Sequence, residues 1–173
     1  MEDKYLLITD FDGILSLGMW QDAKSNVWKN IACGNKEAVK IARDRNIQIW
    51  CVSSQANPNG KAVTEAVCTK LGIPVIFTDT DNKPQAIIKI KEEVQPKNTC
   101  WVGNDIYDLN IARYVNIMCA PVASKPMLEL GSEVLGLEMP EYRWLKSDKP
   151  LLEAVLQFLR YMFKIQFDNA SHT

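Results

Sequence analysis

The chain has 173 residues, of which 47% are hydrophobic and 24% charged, and its formal net charge is −1. This composition is typical of one globular domain that can bury a full core without disulfides. The near-neutral charge predicts no nucleic-acid partner, and no apolar run approaches the roughly 20 residues of a membrane span, so we expect no membrane partner either.

The cysteine and histidine content restricts the chemistry. The five cysteines are scattered without a C-x-x-C pair, and the amino terminus does not read as a signal peptide. Both features predict a cytoplasmic protein with reduced, buried cysteines. The only histidine, His172, is second from the end, which excludes histidine-dependent triads and a histidine-based zinc site. Carboxylates, lysine or water would therefore carry any acid–base chemistry.

Apolar strand-like runs alternate with amphipathic helical patterns along the chain. Strands are predicted at Tyr5–Thr9, Ile47–Val52, Pro74–Phe77, Thr99–Val102 and Ile117–Ala120. Helices are predicted at Glu37–Asn46, Pro58–Leu71, Pro84–Val94, Asp105–Val115, a short stretch from Ser124, and Pro150–Ile165. Continuous apolar strands are typical of a parallel sheet covered by helices on both faces. We predict an α/β, Rossmann-like three-layer sandwich without a large cap domain, occupying residues 1–165, and a disordered tail at 166–173.

One stretch interrupts this alternation. Leu17–Ile31 reads as two short strands around a polar turn, with Trp20 and Trp28 on its two arms. Because it follows the first strand closely, we expect this β-hairpin, the flap, to project over the carboxyl end of that strand. The tryptophans fit either a contact with another subunit or packing on their own domain, and the sequence leaves both open.

The first strand ends in two carboxylates. Asp10 and Asp12 are spaced i, i+2 and therefore point the same way along an extended chain. Ligands collect at the carboxyl ends of strands in open α/β sheets, and a pair of oxygen donors there suits Mg²⁺. The alternative is that Asp12-Gly13 only forms a turn.

Polar side chains also follow the next strands. Ser53 and Ser54 come directly after the second long strand, where a hydroxyl can bind a phosphate oxygen or simply support a turn. Lys83 stands at a helix start, a position that the helix dipole disfavours. It is either a surface lysine or an ammonium that neutralises anionic oxygens near the site.

A second acidic segment follows the fourth predicted strand. Asn104, Asp105 and Asp108 come directly after Gly103 and all offer side-chain oxygens. Capping of the following helix accounts for one or two of them, and less easily for all three.

Taken in order, these motifs resemble those of the haloacid dehalogenase superfamily: Asp10-x-Asp12, Ser53, Lys83 and Gly103-Asn104-x-x-x-Asp108. Within it, the sequence is most similar to the capless branch with a flap hairpin. That branch holds the 3-deoxy-D-manno-octulosonate 8-phosphate phosphatases and the similar domains attached to acylneuraminate cytidylyltransferases. The resemblance covers roughly residues 4–165.

The resemblance implies a role for each motif. Asp10 would be the nucleophile that forms an aspartyl-phosphate, and Asp12 would protonate the leaving oxygen and then activate water. Ser53 and Lys83 would hold the phosphoryl oxygens, and we add the neighbouring Ser54 and the Gly13 turn to this phosphate-binding set.

The resemblance also implies a cofactor and an assembly. Mg²⁺ would be bound by the Asp10 carboxylate, the Asp12 backbone carbonyl and the Asn104 side chain, with Asp105 and Asp108 completing the metal surroundings. The family implies a homotetramer in which the flap and a neighbour's carboxy-terminal loop help to close each site.

Three departures from the family pattern bear on activity. Asn104 stands where the phosphatases usually carry aspartate, Cys33-Gly34 replaces an Asp-Gly, and Ser147–Pro150 replaces a glycine-rich loop. The first hypothesis is a Mg²⁺-dependent phosphatase for a small phosphorylated sugar acid of the octulosonate or nonulosonate 8-/9-phosphate type. The alternative is a catalytically weak or inactive domain that serves oligomerisation or regulation beside a sialic-acid-type activating enzyme. A receiver domain phosphorylated at Asp79 is a third reading that leaves the Asp10-x-Asp12 motif unexplained.

Overall fold

The fold is built on one parallel sheet. The computed structural model describes residues 3–24, 26–137 and 140–170, apart from the side chains of residues 19, 20 and 165–170. The six strands of this sheet are β1 Tyr5–Thr9, β4 Ile47–Ser53, β5 Val75–Phe77, β6 Asn98–Val102, β7 Ile117–Pro121 and β8 Glu141–Leu145. They lie in the order β5-β4-β1-β6-β7-β8, and each pairs in parallel with its neighbours. The predicted flap is a separate antiparallel pair of strands, β2 Ser16–Gln21 and β3 Val27–Ile31.

Helices cover both faces of the sheet, as the buried strands predict. The α-helices are α1 Asn35–Asp44, α2 Pro58–Leu71, α3 Lys83–Val94, α4 Lys125–Leu135 and α5 Pro150–Ala170, and 3₁₀ helices occupy Ile106–Tyr114 and Val122–Ser124. Leu7 of β1 joins a core cluster with residues of α1 and α5, whereas Leu6 and Ile8 join a cluster with residues of α3. The central strand is thus apolar on both faces because each face packs against helices.

The sequence analysis missed β8. Glu141–Leu145 lies at the edge of the sheet beside β7, and its residues alternate between charged and large apolar types instead of forming an apolar run. Alternation is the pattern of a strand that is not covered on both faces.

The last helix is longer than predicted. α5 continues through Ala170, whereas the sequence analysis places a disordered tail at 166–173. No glycine or proline follows Pro150, so the sequence contains no residue that would end the helix earlier. Residues 171–173, including His172, lie outside the described residues.

Exposure differs from expectation at Cys33 and bears on the open alternatives for Trp28. Cys33 is exposed, although the other four cysteines are buried, and all five are free. Trp28 of the flap is 53% exposed, so it does not pack fully on its own domain, while the Trp20 side chain lies outside the described residues. Within the described residues, no helix combines the length and apolar character needed to cross a membrane.

Candidate active site

Asp10 follows β1 directly and is held at the carboxyl end of the sheet. Its backbone N–H donates to the Val102 carbonyl of β6 at 2.8 Å, and the Thr9 hydroxyl donates to its carbonyl at 2.7 Å. The carboxylate accepts a hydrogen bond from the Phe11 N–H through Oδ1 at 2.7 Å, and the residue is only 8% exposed. The predicted nucleophile is therefore fixed in position by two neighbouring strands.

Lys83, the first residue of α3, lies between two buried carboxylates. Its Nζ donates to Asp10 Oδ2 at 2.8 Å and to Asp108 Oδ1 at 3.3 Å. The lysine side chain is 3% exposed, and its Nζ lies 5.3 Å from the centre of the Trp101 ring. The structure thus brings together three of the predicted site residues, and it resolves the earlier alternative for Lys83 against a surface lysine.

The charges of these three groups shift one another. Burial raises the pKa of the Asp10 carboxyl to about 6, although Lys83 opposes part of that rise. Burial likewise raises the pKa of Asp108, again against the effect of Lys83. Burial by itself would lower the pKa of Lys83, but Asp108 and Asp10 raise it above its ordinary value. The lysine therefore stays protonated, and Asp10 becomes an anion near neutral pH.

Asp12 forms an ion pair with Lys29, a residue that the sequence analysis did not single out. Lys29 extends from β3 of the flap, and its Nζ lies 2.9 Å from Asp12 Oδ1 and donates to Oδ2 at 3.0 Å. The same Nζ donates to Thr64 Oγ1 of α2 at 3.1 Å and lies 4.4 Å from the centre of the Phe11 ring. The flap therefore reaches the predicted site, as expected. The one hint in the sequence is a lysine on a flap strand next to Trp28.

The Gly13 turn lies directly against Asn104. Gly13 has φ +86°, and a Cβ placed on it would lie 2.3 Å from Asn104 Nδ2 and 2.9 Å from Asn104 Oδ1. The carboxamide of Asn104 therefore contacts the backbone immediately after Asp12, and only glycine leaves room for it.

Asp105 and Asp108 form a reciprocal cap at the start of the 3₁₀ helix that begins at Ile106. Asp105 is exposed, and its side chain accepts a hydrogen bond from the Tyr107 N–H at 3.3 Å. Asp108 Oδ2 accepts from the Asp105 N–H at 3.0 Å, while Oδ1 faces Lys83. Capping thus explains the position of both residues, and Asp108 has the further contact with the site.

The serines lie at the same end of the sheet. Ser53 ends β4, which is paired with β1 so that Cys51 is opposite Thr9. Its side chain is buried, and the hydroxyl accepts a hydrogen bond from the Gln55 N–H at 3.3 Å. Ser54 follows at the surface of this turn and is half-buried.

The donor chemistry at this end of the sheet fits Mg²⁺. Among the described residues, no three His, Cys, Asp or Glu side chains are grouped closely enough to hold a metal by themselves. Asp10 retains free lone pairs beside its two hydrogen bonds, and the contact of Asn104 with Gly13 brings an amide oxygen to the same turn. A mixed set of carboxylate, amide and backbone oxygens is what a hard cation prefers.

The sequence is similar to that of a known phosphatase. The chain is 25% identical over 130 residues to the 3-deoxy-D-manno-octulosonate 8-phosphate phosphatase KdsC of Salmonella typhi, covering 73% of this chain and 67% of the relative. No protein-family model matches the sequence.

Solved structures share the fold. A Streptomyces avermitilis protein described as a HAD family hydrolase superposes with a TM-score of 0.69 at 20% identity, covering 88% of this chain and 83% of the other. The 3-deoxy-D-manno-octulosonate 8-phosphate phosphatase of Moraxella catarrhalis, solved with magnesium, phosphate and KDO, has a TM-score of 0.58 at 16% identity, covering 75% and 86%.

In sequence the chain is similar to a phosphatase of 3-deoxy-D-manno-octulosonate 8-phosphate, and in fold it is similar to a HAD family hydrolase. Both similarities agree with the resemblance on which the sequence prediction rests.

Proposed function

We propose that this protein is a Mg²⁺-dependent phosphomonoester hydrolase for a small phosphorylated sugar acid of the octulosonate or nonulosonate 8-/9-phosphate type. The observation that carries the proposal is the buried Asp10 carboxylate, paired with Lys83 at 2.8 Å and lying two residues before Asp12. These contacts hold the carboxylate in one orientation. A nucleophile needs such a fixed orientation toward its substrate.

The reaction proceeds in two steps. A carboxylate oxygen of Asp10 attacks phosphorus, the bond from phosphorus to the sugar oxygen breaks, and Asp12 donates a proton to that oxygen. Water then attacks the phosphorus of the aspartyl-phosphate, Asp12 accepts its proton, and inorganic phosphate leaves with the Asp10 carboxylate restored.

The remaining residues bind and orient the phosphoryl group. Lys83 and the Ser53 hydroxyl hold its oxygens, with Ser54 and the Gly13 backbone completing the cradle. Asp10, Asn104 and the Asp12 carbonyl would hold Mg²⁺, with Asp105 and Asp108 in its surroundings. The ion, when bound, offsets the repulsion between an anionic nucleophile and an anionic phosphate.

The substrate class and the assembly rest on the relatives and the surface. Proteins similar to this one carry names of sugar-acid phosphate phosphatases, and one was solved with KDO and phosphate. We propose a homotetramer closed by the flap, because Trp28 and Leu17 expose apolar surface there. The four buried cysteines form no disulfides, which supports a location in the reducing cytoplasm. One catalytic domain over residues 1–165 is expected to carry the activity.

A phosphatase assay tests the proposal. The wild-type protein and Asp10→Asn are compared on p-nitrophenyl phosphate and a panel of sugar phosphates, each with Mg²⁺ and with EDTA. We expect turnover only for the wild type with Mg²⁺, and the fastest turnover with a sugar-acid phosphate. Equal rates for the two proteins over the whole panel would favour the alternative, a domain that serves oligomerisation.

A further inference from the structure

The ammonium group of Lys29 is buried and therefore needs oxygen atoms as partners. Its side chain is 0% exposed although it comes from the flap, an element that is otherwise largely exposed. A buried ammonium is costly unless it is paired, and three oxygens surround its Nζ: both carboxylate oxygens of Asp12 and the hydroxyl of Thr64. The contacts of Lys29 are therefore specific to this closed arrangement of the flap.

The Asp12 side chain, by contrast, is 42% exposed. A carboxylate with that much open space on one side rotates readily about its last torsion angle unless something fixes it. Lys29 lies within 3.0 Å of both oxygens and therefore fixes the plane of the carboxylate. Phe11, whose ring lies 4.4 Å from the ammonium, supports the lysine from below.

Thr64 holds the other side of the lysine. It is a fully buried residue of α2, so its hydroxyl is a fixed point of the domain core, not part of the flap. The lysine thus connects three elements: the flap, helix α2 and the carboxylate after β1.

We propose that Lys29 is a positioning residue for the reaction, which orients the Asp12 carboxylate for proton transfer and does so only while the flap is closed against α2. This inference rests on the proposed function and adds a residue to it. Because proton transfer requires hydrogen-bond geometry, the orientation of Asp12 matters most where the leaving oxygen needs a proton.

The leaving group provides the test. An aryl phosphate such as p-nitrophenyl phosphate leaves as a stable anion, whereas the oxygen of a sugar phosphate must be protonated. In Lys29→Met we expect kcat/KM for the best sugar phosphate of the panel to fall at least about tenfold more than kcat/KM for p-nitrophenyl phosphate, with the loss mainly in kcat. The ratio of the two kcat/KM values, sugar phosphate over p-nitrophenyl phosphate, thus falls in Lys29→Met. In Lys29→Arg, which keeps the charge and the donors, we expect this ratio to return part of the way to the wild-type value.

Two controls separate positioning from a structural effect. Lys97→Met removes a lysine from an exposed pair with Asp3 and should leave the ratio unchanged. In an Asp12→Asn background, Lys29→Met should change the ratio no further, because the two residues act as one unit. An unchanged ratio in Lys29→Met, or the same further loss in the Asp12→Asn background, overturns the proposal while leaving the phosphatase activity established.

Hydrogen exchange gives a readout without turnover. Flap amides of β2 and β3 should exchange faster in Lys29→Met than in the wild type, with Lys97→Met unchanged. If the wild type hydrolyses none of the phosphomonoesters, the proposed function fails. Slow flap exchange that depends on Lys29 would still show that the lysine holds the flap closed. Flap exchange equal in all three proteins overturns the closure part of the inference.

Discussion

Lys83 Nζ lies 2.8 Å from Asp10 Oδ2, so a residue at the start of a helix neutralises a carboxylate at the end of a strand 73 positions earlier. The same ammonium lies 3.3 Å from Asp108, which makes it the shared partner of two acids that would otherwise repel each other. A lysine at a helix start opposes the helix dipole. The two carboxylates compensate for that unfavourable position, and the lysine contributes to the fold as well as to the site.

Removal of Lys83 should therefore destabilise the protein strongly. Lys83→Met leaves two buried carboxylates without a cation, and we expect a loss on the order of 3–5 kcal/mol in the free energy of unfolding, measured by urea denaturation at pH 7.5. Asp10→Asn should cost less, since Lys83 keeps Asp108. A Lys83→Met protein as stable as the wild type would show that the pair contributes nothing to the fold.

Asp10 should make stability depend on pH. Its pKa of about 6 in the folded protein lies above the ordinary value of 3.8, so the folded state binds more protons between these values. The stabilising contribution of Asp10 is then complete below about pH 4 and is lost as the pH rises through 6, at about 1.4 kcal/mol per pKa unit.

Urea denaturation between pH 4.5 and 7.5 in EDTA measures this effect. As the pH rises, the unfolding free energy of the wild type should fall relative to that of Asp10→Asn. The difference should level off above about pH 7. A difference that does not change with pH would contradict the raised pKa.

Gly103 should not accept a side chain. A Cβ there would lie 2.1 Å from Asp108 Oδ2 and 2.4 Å from Trp101 Nε1, both in the buried floor of the site. We expect Gly103→Ala to lower the unfolding free energy by about 1–3 kcal/mol and to lower phosphatase activity by displacing Asp108. Gly18→Ala is the matched control, because a Cβ at Gly18 meets nothing within 4 Å. Equal effects of the two substitutions would argue against a tight contact.

Asn104 should limit the affinity for Mg²⁺. Asn104→Asp restores a charged oxygen next to the turn after Asp12, and we expect the Mg²⁺ concentration for half-maximal activity to fall about tenfold. Asp105→Asn, at an exposed capping residue, should have a smaller effect on the same titration, since asparagine also caps helices well. A large effect at Asp105 instead would give that residue a direct role in binding the ion.

The placement of several candidate site residues could be predicted from the sequence, because the topology of a parallel sheet decides it. Once the apolar runs at Tyr5–Thr9 and Ile47–Val52 are recognised as parallel strands, the residues after them must share one edge. Asp10 and Ser53 accordingly lie at the same end of the sheet. β8 escaped prediction because its residues alternate between charged and large apolar types instead of forming an apolar run.

The sequence by itself determined the α/β fold and the order of the polar residues that follow its strands, since strand and helix patterns are local. Only the tertiary structure decided which charges are partners. Lys83 forms ion pairs with Asp10 and Asp108, whereas Lys29 forms an ion pair with Asp12. Strand periodicity shows which side of the flap a lysine occupies, but not that the flap folds against α2 and buries that lysine beside Asp12. That pairing depends on long-range packing between separate elements, which no local pattern encodes.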